Sequence, residues 1–108
     1  MKLITKEIEK KIEKYPLYSQ DGKGDDAVVI CKFFGGSCWS WYATEGNKLE
    51  NGDIEFFGLV VSQFGAKLGY FTMSELESIH FPPFGLPIER DMYFKGTIAD
   101  AKKDACVA

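Results

Sequence analysis

Apolar positions recur every four residues near the start of the chain, at Ile4, Ile8 and Ile12 with Tyr15 close behind, and Lys and Glu fill the places between. That spacing lays one apolar stripe along a helix over residues 5–14. Thr5 can cap it, Glu7 suits its first turn and Lys14 its last, and Pro16 stops it. A helix of about ten residues does not stand alone, so the stripe must dock on the rest of the chain. Residues 19–26, "SQDGKGDD", have no period and read as a loop. Their Asp and Gly residues lack calcium-loop spacing, because the position that needs a closing Glu, counted from Asp21, is Lys32.

Beyond the loop the period shortens to that of strands. "AVVICKFF" (27–34) is β-branched and aromatic, Gly35-Gly36 is a turn signal, and "CWSWYAT" (38–44) follows. The turn-rich stretch 45–53 reads as a longer loop before strands at 54–62 and 67–72. Links this short imply an antiparallel meander, and Gly58 and Gly69 inside strands mark bulges or close contacts. Thr72 and Glu75 form a capping-box pattern for a short helix over 72–79. Residues 80–87, rich in proline, form a stiff connection, and 88–96 read as a fifth, edge strand or an extended segment. The predicted fold class is α+β: an N-terminal helix, an antiparallel meander of about four to five strands, and a short helix after the fourth strand. Residues 1–96 form the single domain. Residues 97–108 form a C-terminal tail, either a last helical turn or two with Thr97 as cap or a frayed end.

Alternation along the second strand sets Trp39, Trp41 and Ala43 against Cys38, Ser40 and Tyr42. In the third strand Ile54, Phe56, Gly58 and Val60 oppose Glu55, Phe57, Leu59 and Val61. Neither face is cleanly polar, so each is covered by other elements or meets a partner. Composition sharpens this point. Aromatic residues make up 15% of the 108 positions, and they serve equally as core filling and as stacking surfaces. Packing is the leading use of the two tryptophans, a protein partner the next, and stacking of single-stranded bases the last.

The net charge of −3 lacks the positive field that duplex DNA or an anionic membrane selects. Cys31, Cys38 and Cys106 form neither an even framework nor a close pair. With Lys and Glu alternating where a secretory signal would be apolar, reduced thiols in a cytoplasmic protein are expected. No spacing asks for a metal or a cofactor. His80, the sole histidine, has no motif placing a nucleophile and an orienting group beside it. Arg90, the sole arginine, sits between Glu89 and Asp91 and reads first as a pinned ion pair, with Glu45 at the end of the tryptophan strand as a candidate partner.

Trp41-Tyr42-Ala43-Thr44-Glu45, Leu68-Gly69-Tyr70-Phe71, Ser74-Glu75-Leu76-Glu77 and Leu86-Pro87-Ile88-Glu89-Arg90-Asp91 occur in this order along the chain. In these motifs the chain, over residues 3–95, resembles a family of short single-domain bacterial proteins of unknown function, often encoded on plasmids, phages and integrative conjugative elements. The tail from Gly96 departs from that pattern. The resemblance implies an accessory protein that acts by binding, and it brings no activity with it.

The leading expectation is a non-enzymatic protein-binding module contacting its partner through Trp39, Trp41, Tyr42, Glu45, Glu89, Arg90 and Asp91. The alternative is a single-stranded nucleic-acid binder using the same aromatics. A third reading is an enzyme that brings Glu45, Arg90 and His80 into one pocket.

Overall fold

A computed structural model describes residues 5–36, 39–82, 84–91 and 93–105; expectations placed on Ile4, Cys38, Pro83 and Cys106 lie outside the described residues. Helix α1 (Lys6–Lys14) begins where the Thr5 hydroxyl accepts the Ile8 N–H at 3.3 Å, and it buries Ile8 and Ile12. Four strands then form the meander: β1 (Cys31–Gly35), β2 (Trp39–Lys48), β3 (Ile54–Ser62) and β4 (Gly65–Thr72). Helix α2 (Met73–Ser78) follows at once, with the Thr72 hydroxyl accepting the Glu75 N–H. A small hairpin of β5 (His80–Phe81) and β6 (Leu86–Pro87) leads to β7 (Glu89–Asp91), and α3 (Ile98–Asp104) comes last. The main sheet has the order β4-β3-β2-β1-β7, antiparallel throughout, so the fifth strand returns to the β1 side rather than extending the meander beyond β4. The fold is α+β, as its hydrophobic pattern predicts.

Two of the boundaries that differ from the sequence expectation have a visible cause. β1 starts at Cys31, because residues 27–30 are held by other means: Val28 bridges to Thr97, and the Gln20 side chain bonds both the N–H and the carbonyl of Val28. β2 runs on to Lys48 and takes in the first half of the expected acidic loop, since Gly46, Asn47 and Lys48 pair with Phe56, Glu55 and Ile54.

The sheet is apolar on both sides, and each side has its own core. On one face, Phe33, Trp41, Ala43, Phe56 and Phe71 pack with Ile8 and Ile12 of α1 and Met73 and Leu76 of α2. Phe33 and Phe56 are fully enclosed, each worth ~2–3 kcal/mol by area removed from water. On the other face, Tyr42, Leu59 and Val61 pack with Ala27, Val29 and the Ile98 and Ala101 side chains of α3. Thr97 caps α3 with a complete capping box to Asp100.

Between Ala43 and Glu45 the β2–β3 register shifts, leaving Thr44 as an extra residue. Such a bulge turns over every side chain beyond it. Ala43 therefore faces α1 with Trp41, whereas Glu45, opposite Phe57, joins Tyr42 and Leu59 on the α3 face. Gly58 lies across from the bulge, where a Cβ would run into the Tyr42 carbonyl and stand 2.8 Å from the Ala43 Cα. Gly69, its neighbour on β4, has open space at the same place. Gly58→Ala is expected to cost about 3 kcal/mol, because backbone rather than a movable side chain must yield, while Gly69→Ala changes stability by less than ~1 kcal/mol. Urea denaturation of the two variants checks this, and equal midpoints would remove the bulge contact as the reason for Gly58.

Candidate functional site

The two indoles share the α1 face as the strand period requires, stacked with ring centroids 5.6 Å apart and planes 18° from parallel. Trp41 is buried in the core, and Trp39, half-buried, leans outward at the core's margin. It forms one wall of an open hollow of about 360 Å³ with Val60, Phe64, Lys67 and Gly69. The floor exists because Gly69 contributes no side chain.

Tyr42 points to the opposite face. Its hydroxyl donates to the Asp104 carboxylate at 2.7 Å, and the Lys32 ammonium donates to the same oxygen at 2.7 Å. Lys32 also stands 3.5 Å from the Asp91 carboxylate and lies over the Tyr42 and Phe94 rings. Burial pushes the Tyr42 phenol up to about 12, and its bond to Asp104 adds to this. Burial works against the Lys32 ammonium, yet the Asp104 hydrogen bond and the neighbouring charges raise its pKa above the ordinary value. The Lys32 hydrogen bond in turn holds the Asp104 carboxyl below the carboxylate range. The cluster fastens the C-terminal end of α3 to the sheet. Tyr42 and Asp91 thus belong to one assembly, with Asp91 opposite Lys32 in the β1–β7 register.

Glu45 is buried, and both carboxylate oxygens are occupied: Oε1 accepts the Tyr18 N–H at 2.9 Å and Oε2 the Gln20 N–H at 2.7 Å. Gln20, also buried, uses its side-chain amide to bond Val28 twice and the Thr44 carbonyl. Tyr18 has φ +74°, a left-handed conformation that costs a bulky residue on the order of 1–3 kcal/mol and persists because the Glu45 bond over-determines it.

Glu45 and Arg90 do not pair. Arg90 lies opposite Phe33 on the α1 face, where it lines a hollow of about 170 Å³ with Glu7, Lys11 and Cys31, and the bulge has carried Glu45 through to the other side. Strict alternation past Ala43 would set Glu45 on the Trp41 face, where Arg90 lies; the extra residue at Thr44 is the physical reason it is not there. His80 stands exposed in the small hairpin, its Nδ1 3.2 Å from the Ser78 carbonyl, while Glu45 and Arg90 lie on opposite sides of the sheet. Glu89 is exposed on the α3 face, opposite Phe34. Burial pushes the Cys31 thiol up to about 12, which leaves it a core residue and not a nucleophile. Among the described residues no group of three His, Cys, Asp or Glu side chains could hold a metal, and no helix is long and apolar enough to cross a membrane.

Features around β4 complete the site and are absent from the sequence expectation. β4 is one edge of the sheet, bonded among the described residues to β3 alone, and most of its residues are exposed. Leu68 and Tyr70 project on the α3 face, beyond the reach of α3, at 58% and 53% exposure. Phe64, in the β3–β4 turn, is 82% exposed. The signal available beforehand was the strand "GAKLGYFT" as the last member of a meander, which makes it an edge, with no proline and one charge to blunt it.

The profile of a family described as "Protein of unknown function (DUF2958)" matches residues 3–101. The chain belongs to this family. The DUF2958 match covers α1, the whole sheet and α3 as far as Ala101, so the second core lies within the family unit. No curated protein and no solved structure matches the chain.

Two measurements test the interior of the site. The Tyr42 phenol stays neutral in the fold to about 12, whereas an unfolded tyrosine ionises near ~10. Its stabilisation is whole below pH ~10 and is lost as pH rises through the folded value, and the raised Lys32 acts in the same direction. Stability to urea should therefore fall above pH ~10, and Tyr42→Phe should flatten that fall; an unchanged alkaline slope would exclude the cluster as its source. At the acid end, the Asp104 contribution is whole above ~4 and disappears as pH drops through its lowered folded value. Separately, Glu45→Gln leaves one acceptor oxygen facing two N–H groups, and a loss of about 2 kcal/mol is expected. Amide exchange at Tyr18 and Gln20 should quicken first; no change there means the clasp does not hold the loop.

Proposed function

We propose that this DUF2958 protein is a non-enzymatic protein-binding module that accepts an extended segment of a partner along β4. The observation that carries the proposal is an open edge: β4, Gly65–Thr72, is bonded on one side only among the described residues and lies beside the apolar hollow of Trp39. Added strands gain main-chain hydrogen bonds from such an edge and specificity from pockets for alternate side chains. The Trp39 hollow is one such pocket. An apolar side chain of the partner, set against the indole and Phe64 over Gly69, completes what this chain leaves open. The scattered placement of Glu45, Arg90 and His80 supports binding over catalysis. Single-stranded nucleic acid has thinner support, because Lys67 is the one cation among the described residues lining the hollow. The resemblance adds the setting: an accessory protein of a bacterial mobile element, acting in the cytoplasm.

Affinity capture from the bacterial host, with wild type beside Trp39→Ala, tests the reading. Trp39 is half-buried at the core's margin, so the variant should keep its circular dichroism spectrum and lose the partner. A partner retained in full by a folded Trp39→Ala protein would refute the hollow, and capture abolished by nuclease would replace the protein with a nucleic acid.

A further inference from the structure

The α3 face of the sheet is covered over β1, β2 and the Leu59 and Val61 positions of β3, and it opens from half-buried Phe57 outward along β4. On the open part Phe57 and Tyr70 stand opposite each other with ring centroids 4.9 Å apart and planes tilted by 60°. Tyr18, 63% exposed in the loop with its backbone held left-handed by Glu45, brings its hydroxyl near enough to Tyr70 to act on that phenol. The Phe57 and Tyr70 rings therefore meet, with Tyr18 beside Tyr70, at a surface that no described helix covers.

The charges around them have one sign. Glu45 lies directly across from Phe57 on β2, and Glu55, two residues before Phe57, projects on the same face. Asp21 and Glu45 are both near enough to act on Tyr70: the Tyr18 hydroxyl beside it and loss of water raise the Tyr70 phenol, and these two charges push it the same way. Lys67, the cation of β4, belongs to the other face, opposite Val60. The described lysines that do lie over rings are Lys14 on Tyr15 and Lys32 on Phe34, Tyr42 and Phe94.

We infer that Tyr18, Phe57 and Tyr70, with Asp21, Glu45 and Glu55 behind them, form a ledge that receives a basic side chain, arginine or lysine, of the partner protein. Ring faces attract a cation through their quadrupoles, and fixed carboxylates strengthen that attraction where water is partly excluded. The inference rests on the strand-addition reading for how the side chain arrives. Tyr70 belongs to β4 itself, so a segment paired there sends alternate residues to the two faces of the sheet. One set enters the Trp39 hollow and is apolar; the other crosses the ledge and is basic. The buried Glu45 clasp then has a functional result, since it sets a strained Tyr18 beside Tyr70.

A small probe tests the ledge without the strand. N-acetyl-arginine amide is titrated into the protein and followed by NMR, with the citrulline analogue as a neutral isostere. Saturable shifts at the Tyr18, Phe57 and Tyr70 rings are expected for arginine, weakening as salt rises, with citrulline binding at least about fivefold more weakly. Tyr70→Leu should abolish the shifts and Tyr70→Phe should keep them. Equal binding of citrulline, shifts centred elsewhere, or no saturation would overturn the ledge while leaving the Trp39 capture result standing. Loss of capture in Trp39→Ala with arginine still bound would support both.

Discussion

Thr44 is one residue more than the β2–β3 ladder can pair, and the arrangement of both faces depends on where that residue is put. Before it, Trp41 and Ala43 face α1; after it, Gly46 does, and Glu45 is sent to the other side. Had the strand continued unbroken, a carboxylate would occupy the α1 core and the small Gly46 would face outward. A Cβ at Gly46 would stand 2.8 Å from the Ile12 side chain, so the bulge also brings to the α1 face the one residue that lets the helix sit down. Burying a carboxylate is costly unless its lone pairs are taken. Here the Tyr18 and Gln20 N–H groups take them, which converts a buried charge into an anchor for the loop that joins α1 to the sheet.

That anchor links elements remote in sequence. Gln20, fixed by Glu45, supplies the ladder contacts that Val28 lacks, and Val28 bridges to Thr97 at the cap of α3. At the other end of α3, Lys32 and Tyr42 converge on Asp104. The last helix is thus tied at both termini to residues of the first half of the chain. Ile98 and Ala101 alone bury little surface for a helix of this length. The polar ties are short and partly shielded from water, which is where charge-assisted hydrogen bonds contribute most.

Much of this was legible in the sequence where one period governed one element. The Ile8–Ile12 stripe, the Thr5 and Thr72 caps and the span of β3 follow from spacing and capping chemistry alone. Glycine at position 58 signalled a close contact but not its cause, because the colliding backbone belongs to a different strand. The bulge itself has no local mark: "YATEG" reads as uninterrupted alternation, and from that reading Glu45 falls on the Trp41 and Ala43 face. Period-2 logic fails completely after one inserted residue, so a single unmarked event moved a candidate site residue to the opposite surface. Tyr42, equally, looked like part of an aromatic platform, since the partner that fixes its role, Asp104, lies 62 residues away.

The same constraint explains why the open surfaces gather at β4. With α1 and α2 committed to one core and α3 packed on Tyr42, Leu59 and Val61, no described element is left to cover β4 on the α3 face. An edge strand that carried charges on both sides would need no cover. β4 instead presents Leu68 and Tyr70 on one side and a side-chain-free notch at Gly69 on the other, with Lys67 as its single charge. Natural edges of this length are usually blunted by charge, proline or a bulge, because unpaired N–H and carbonyl groups invite a further strand. The register shift of this sheet lies two strands inward, on β2, where it serves the core and does nothing to protect the edge. The one register shift among the described strands thus places Glu45 and Tyr18 and leaves β4 regular, and that regular edge is what the proposed strand addition rests on.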